Sequence, residues 1–318
     1  MRKFLFLVNA FSGGPAGKKI KESILSELSG MLARDEYDIE FTEVDIARQV
    51  KDASPGYETV VVVGGDGTIH QAVQGIVGLG NKPKVGIIPT GTGNDLARSL
   101  GILPFFKSHG LRALLELILK GKTTQIDIIS LNGKYFFTNY FSMGNDAKIS
   151  NYFNRVRVIP FLRSRILIPF NKALYGIIGL TKGFYKIPFD IELKYRSGQS
   201  TTEMLTVHGG TCEVILTNAK TYAAGALLSS KCRMDDGKFE VTVISSTWQW
   251  IMMHFTRFSK RPLNVLCPKL IQFQTDMLEM TFTGDTFYQI DGEIPDAFPE
   301  GKKSLMVRIE SHIEMIIT

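Results

Sequence analysis

The stretch Val61–Ile76 reads VVVGGDGTIHQAVQGI. A β-branched run, as expected for a strand buried on both faces, passes through Gly64-Gly65-Asp66-Gly67 into helical spacing. Ile69, Ala72, Val73 and Ile76 recur at i, i+3, i+4 and i+7. Strand, glycine turn and helix in succession form one step of a parallel α/β sheet. Two readings of the turn stay open. In one it is a tight connection with Asp66 or Thr68 as helix cap. In the other its amides cradle a phosphate at the helix's positive end, and Asp66 is a working carboxylate.

The flanking sequence repeats the pattern. KFLFLV (3–8) has strand length, NAFSGGPAG (9–17) is a loop, and Ile20, Ile24, Leu28 and Met31 follow at helical spacing. YDIEFTEV (37–44) alternates, KVGIIP (84–89) is a further strand, and Leu96, Ala97 and Leu100 mark a short helix. Residues 1–125 are therefore expected to form a doubly wound parallel α/β domain with a nucleotide site. From Ile126 the texture changes to segments such as QIDIISL, KYFFTNYFS, FDIELKY, EVILTNA and KFEVTVIS. Asn132-Gly133, Ser197-Gly198, Asp236-Gly237 and Asp291-Gly292 separate such segments as turn signals. This predicts an antiparallel β-sandwich domain over 126–300, with a helical insert over roughly 150–182. Residues 301–318 are expected as a C-terminal segment returning to the first domain.

A second glycine turn weighs between the two readings of the first. PTGTGND (89–95) follows the next strand and again combines glycines, hydroxyls and an acid. In an open parallel sheet ligands bind beyond the carboxyl ends of the strands. Neighbouring strand ends would bring both turns, and the loop after the first strand with Ser12, Gly13 and Gly14, to one crevice. Three such loops favour a polyphosphate site over three separate caps. Neither GxGxxG nor GxxxxGK[ST] occurs, which excludes a standard dinucleotide fingerprint or P-loop. Asp66 and Asp95 would repel phosphates unless Mg²⁺ lay between, since that ion takes one or two carboxylates plus phosphate oxygens.

Bulk properties agree. The chain has 318 residues, 44% hydrophobic, enough for about two domains. Its net charge of +6 suits an anionic partner without choosing one. Cys212, Cys232 and Cys267 are widely separated, which favours a reducing compartment. The apolar run in MRKFLFLVNA stops at Asn9, too short for a signal peptide, and no run approaches the ~18 residues of a membrane span.

The ordered set GGDGT, PTGTGNDLAR and the late DGE resembles the diacylglycerol kinase catalytic-domain family, which includes bacterial lipid kinases, ceramide kinases and sphingosine kinases. NYFSMGNDAKIS (139–150) looks like a segment of the eukaryotic diacylglycerol kinases. The resemblance spans nearly the whole chain. It implies an ATP site at Asn9, Ala10, Phe11, Ser12 and Gly13, at Thr42, at Gly64, Gly65, Asp66, Gly67, Thr68, Ile69, His70 and Gln71, and at Thr92 and Asn94. It implies Glu293 as general base, beside the reading above of Asp66 and Asp95 as the acids that organise Mg²⁺. It also implies a structural Mg²⁺ at Asp236, with backbone oxygens near Arg233 and Lys238. Three positions depart from the family pattern: Ala10 stands where proline is usual, and His70 and Gln71 where asparagine and glutamate are frequent.

Other features carry two readings. Asp291-Gly292 and Asp236-Gly237 are also plain turn dipeptides. None of the five histidines has ligand spacing, so structural or exposed roles are expected. RVRVIPFLRSRILIPFNKALYGIIGL (155–180) reads either as a solvated face over a core helix or as a membrane surface. TRFSKRP (256–262) adds to that face, and Trp248 and Trp250 belong either at headgroup level or in the core. The expectation is a cytoplasmic, peripherally membrane-associated, ATP- and Mg²⁺-dependent lipid kinase acting on diacylglycerol. Its partner is a lipid at the membrane surface and not nucleic acid, with a homodimer left open. The rival readings are another acceptor (a sphingoid base, ceramide, phosphatidylglycerol or undecaprenol) and a nucleotide-binding regulator without kinase activity.

Overall fold

The structure, a computed structural model, describes residues 2–10, 16–91, 93–157, 184–198, 201–293 and 302–318. The chain divides into two compact units, Met1–Ile128 with Ser311–Thr318, and Ile129–Glu310. The division thus falls a few residues beyond the expected 125.

The first unit alternates strands and helices: β1 (Arg2–Val8), α1 (Ala16–Leu28), β2 (Tyr37–Phe41), α2 (Ile46–Ala53) and β3 (Tyr57–Gly64). There follow α3 (Asp66–Val77), β4 (Lys84–Pro89), α4 (Asp95–Ser99), α5 (Ile102–Lys120) and the start of β5 (Thr123–Leu131). The parallel order is β2-β1-β3-β4. Val60 to Val63 are fully buried, as a central strand covered on both faces requires. Each such side chain contributes about 1.5–3 kcal/mol by leaving water. α3 buries the predicted Ile69, Ala72, Val73 and Ile76.

The second unit is mainly antiparallel. It contains β6 (Tyr135–Phe137), β7 (Tyr140–Gly144), α6 (Asn145–Arg157), β8 (Ile191–Ser197), β9 (Thr201–Val207) and β10 (Glu213–Thr217). Next come β11 (Thr221–Tyr222), β12 (Ala226–Leu227), β13 (Phe239–Ile244), α7 (Thr247–Ser259) and α8 (Leu263–Leu266). It closes with β14 (Ile271–Thr275), β15 (Met277–Thr283), β16 (Tyr288–Ile290) and β17 (Lys302–Ile316). One sheet runs β14-β13-β10-β7-β16, and β17, β15, β8 and β9 pair in turn in another. Phe141, Val214 and Val241 of the first share one core with Leu193, Met280 and Val307 of the second, which makes the sandwich. Asn132-Gly133 turns β5 into β6 with φ of 55° and 64°, both left-handed; Leu131 pairs with Tyr135 and the Lys134 amide donates to Leu131 O at 3.1 Å.

β17 serves both units. Its early residues pair antiparallel with β15, and Met315 pairs parallel with Val85 of β4. The helix α6 starts at Asn145, earlier than the expected insert, whose remainder at 158–183 lies outside the described residues. α7 is a helix within the region expected to be β-rich, and it takes in Trp248, Trp250 and the first residues of TRFSKRP; the Ser246 hydroxyl caps it by accepting from the Gln249 amide.

Candidate active site

In the first unit, parallel pairing brings four strand ends side by side. Val8 pairs with Phe41 and Val63, and Gly64 with Pro89. The chain leaving each strand stays linked to its neighbour. The Asn9 amide donates to Val63 O at 2.9 Å, the Thr42 amide to Val8 O at 3.0 Å and the Thr90 amide to Gly64 O at 2.9 Å. The Asn9 side chain donates to Thr68 Oγ1 at 2.8 Å, which joins the first loop to the first turn of α3.

The two glycine turns touch. A Cβ on Gly91 would collide with Cα of Gly65, so the two backbones occupy space a side chain would fill. Asn94 holds this contact: it adopts the left-handed conformation, accepts from the Gly91 amide at 3.1 Å and donates to Gly91 O at 2.7 Å. Its side chain therefore shapes the turn.

Asp66 opens α3 and Asp95 opens α4. Both reach the same place. A Cβ on Gly93 would lie 2.7 Å from Asp66 Oδ2 and 3.9 Å from Asp95 Oδ2. Asp66 Oδ1 also accepts from the Leu96 amide at 3.4 Å. Arg98, quoted in the motif but given no role from sequence, donates to Gly93 O at 3.0 Å and stands 3.9 Å from Asp95 Oδ1. Its place three residues after Asp95, one helical turn on, was the available signal. Two carboxylates at neighbouring helix starts, beside backbone that no Cβ blocks, can hold a divalent cation against phosphate oxygens.

The remaining expected positions divide. Gly67, Thr68, His70 and Gln71 follow Asp66 on α3, while the Ile69 side chain is buried in the core and offers the site only backbone. Ala10 is half-buried after β1. Phe11, Ser12, Gly13 and Thr92 lie outside the described residues, as does most of 155–180.

In the second unit, Asp291-Gly292 is a tight turn with φ of 50° and 86°. Ile290 and Glu293 exchange both backbone hydrogen bonds across it, at 2.9 and 2.8 Å. Glu293 is exposed. The Asp291 carboxylate is buried and accepts from the amides of Thr138, Asn139 and Tyr140. The turn that presents Glu293 is thus tied to the start of β7, a role for Asp291 that no local sequence feature signals. At the other turn, Asp236 Oδ1 accepts from the Lys238 amide at 3.2 Å, and the Arg233 side chain pairs with Asp235 at 3.0 Å. Among the described residues no three His, Cys, Asp or Glu side chains are grouped to hold a metal.

A second acid pair lies deep in this unit. Asp146 and Glu213 are fully buried, and Glu213 Oε2 accepts from the Asp146 amide at 3.0 Å. Trp250 Nε1 donates to Asp146 Oδ1 at 2.8 Å, and His254 Nε2 lies 3.4 Å from that oxygen. Burial works to raise Asp146, but His254, Trp250 and Arg257 hold it below the usual carboxylate range. Burial and the neighbouring Asp146 charge push Glu213 well above that range. Tyr222 donates to Glu213 Oε1 at 3.2 Å.

All three cysteines are free and buried. Histidines serve local contacts: His109 stacks on Phe105, His208 stands by Asp190, and His312 Nδ1 lies 2.8 Å from buried Asp127. Among the described residues no helix is long and apolar enough to cross a membrane.

Comparison with known proteins gives two adjoining matches. Residues 3–131 match the diacylglycerol kinase catalytic domain, and 136–294 the diacylglycerol kinase accessory domain. A diacylglycerol kinase of Staphylococcus aureus (strain bovine RF122 / ET3-1) is 27% identical over 263 residues, covering 81% of this chain and 74% of its own length. A crystal structure of a candidate diacylglycerol kinase from Bacillus anthracis str. Sterne superposes with a TM-score of 0.74 at 20% identity, covering 100% of this chain and 95% of that one. A crystal structure of a diacylglycerol kinase from the same organism gives 0.67 at 18% identity, over 100% and 97% of the two chains. At these identities the structures establish the shared fold.

Proposed function

The chain belongs to the diacylglycerol kinase family, and from that premise we propose that it transfers the γ-phosphate of ATP to the hydroxyl of diacylglycerol, giving phosphatidic acid and ADP. The observation that carries this reading is the contact of Gly91 with Gly65, with Asp66 and Asp95 converging at Gly93. Two glycine turns meet where helix N-termini and two acids also meet, which suits a triphosphate and its metal.

The residues divide the work of phosphoryl transfer, which is mostly positioning and electrostatics. Backbone amides at Gly65 and along the second turn would orient the phosphate chain. Asn94 and Arg98 keep the second turn in shape by bonding Gly91 and Gly93. Asp66 and Asp95 would hold Mg²⁺, whose charge offsets that of the phosphates. Glu293 would take the proton of the lipid hydroxyl as its oxygen bonds the γ-phosphorus and the bond to the β–γ bridging oxygen breaks. The Asp291 tether fixes the turn on which that glutamate stands. The Asp236 turn is proposed for a second, structural Mg²⁺, held by that carboxylate with backbone oxygens near Arg233 and Lys238.

The test is incubation of purified protein with γ-labelled ATP, Mg²⁺ and a total lipid extract. Label should enter phosphatidic acid. Label in another lipid would move the acceptor, and no labelled lipid would overturn the kinase reading.

A further inference from the structure

The helix α7 buries Met253 in the core and turns much of its remaining apolar surface outward. Its polar side chains face the protein. Trp250 and His254 meet buried Asp146, the Thr256 hydroxyl accepts from the Leu227 amide at 2.9 Å, and Arg257 donates to Ala223 O. Its largest apolar side chains face water: Trp248 is 66% exposed, Ile251 47%, Phe255 48% and Phe258 81%. The spacing, i, i+3, i+7 and i+10, lays these four along one side of the helix from its first turn to its last. Single exposed apolar residues are ordinary, but a contiguous stripe rimmed by polar groups marks an interaction surface.

Charge identifies what covers it. From Val241 to Thr275 the chain has no Asp or Glu, while Arg257, Lys260, Arg261 and Lys269 are all basic. Lys260 and Arg261 follow the stripe directly and are exposed. A two-fold contact between copies would bring these like charges together, so a second molecule of this chain fits poorly. An anionic bilayer fits both parts: aromatic side chains at the headgroup level and cations at the phosphates. A 13-residue helix is about 20 Å long, too short to cross the roughly 30 Å hydrocarbon core but suited to lying in the interface.

We propose that α7 docks this protein on anionic membranes, lying in the headgroup plane with Trp248, Ile251, Phe255 and Phe258 in the acyl boundary and Lys260 and Arg261 at the lipid phosphates. The surface takes in Trp248 and part of the 256–262 stretch that the sequence offers as an addition to the 155–180 face, and makes no use of 155–180 itself. The inference rests on the lipid-kinase reading for its purpose, so the test reads binding without nucleotide and turnover without a bilayer.

The experiment is cosedimentation with vesicles of phosphatidylcholine alone or mixed with phosphatidylglycerol. Phe255→Ser with Phe258→Ser should weaken binding to the mixed vesicles at least about tenfold, the effect of about 1.4 kcal/mol. Lys260→Ser with Arg261→Ser should abolish the preference for the anionic lipid, as should high salt in the wild type. Met204→Ser, which removes a side chain 72% exposed on β9, serves as control and should bind as wild type. All variants should melt as wild type and turn over detergent-dispersed diacylglycerol within about twofold. Unchanged vesicle binding in the double phenylalanine variant overturns the proposal. So does a wild-type dimer that the same variant converts to monomer with vesicle binding intact. Normal vesicle binding in a protein that phosphorylates no lipid would sink the kinase reading and leave the docking helix standing.

Discussion

Two acid pairs, one in each unit, show how placement decides what a carboxylate does. Asp66 and Asp95 sit at the starts of α3 and α4 and converge beside Gly93, Asp66 half-buried and Asp95 buried next to Arg98. Asp146 and Glu213 lie at zero exposure, bonded to Trp250, Tyr222 and a backbone amide. The first pair converges beside glycine backbone, the arrangement on which the proposed cation site rests. The second avoids two adjacent buried charges by dividing roles, with Asp146 ionised and Glu213 keeping its proton. Substitution should therefore cost rate in one unit and stability in the other.

Asp66→Asn tests the first half of that statement. Asparagine still suits a helix start, so the melting temperature should hold, while lipid phosphorylation should fall on the order of 10³-fold. Near wild-type turnover at saturating Mg²⁺ would reduce Asp66 to a cap. Glu293→Gln extends the rate class to the second unit. An exposed glutamate on a tethered turn should contribute about 10²–10⁴-fold as a base, seen in kcat and not in ATP affinity. A variant within a few-fold of wild type makes Asp291-Gly292-Glu293 a hairpin and nothing more.

Asp146→Ala belongs to the stability class. It strands His254 and Trp250 around a vacated site, and breaking a buried pair costs about 3–5 kcal/mol. Melting should drop on the order of 10 °C, with turnover per folded molecule little changed. A rate loss without a melting shift would erase the distinction between the two pairs. The smallest effect is a pH slope. Glu213 has its folded value raised above the unfolded one, so stability falls as pH climbs from the ordinary glutamate range toward that raised value. Asp146 has the opposite sign: its stabilisation is present above the ordinary aspartate value and lost as pH falls through the depressed one. Glu213→Gln should flatten the loss at rising pH and leave the acid limb intact, as read by denaturant titration across the pH range.

What the sequence disclosed and what it hid follow from the range of the interactions. The glycine turns were legible because Gly64 to Gly67 and Gly91 to Asp95 carry their constraint within a few residues. Their adjacency followed from the order of parallel strands. Trp248 and Trp250 were ambiguous because side-chain type does not say which side of a helix faces the protein. On α7 the inward side carries polar groups beside Met253, since Asp146, about a hundred residues earlier, bonds Trp250 and meets His254. Asp291 was likewise hidden: its three amide partners come from Thr138 to Tyr140, far away in sequence.

The strand β17 has a consequence for the order of assembly during synthesis. Its Met315 completes the parallel sheet beside Val85 of β4, roughly 230 residues after that strand is made. A ribosome adding about 5–20 residues per second leaves the edge of β4 without this neighbour for tens of seconds. The nucleotide-type unit, although encoded first, is therefore the last to be finished. Until then an apolar strand edge stands open to any passing chain, which is the kind of surface that chaperones cover.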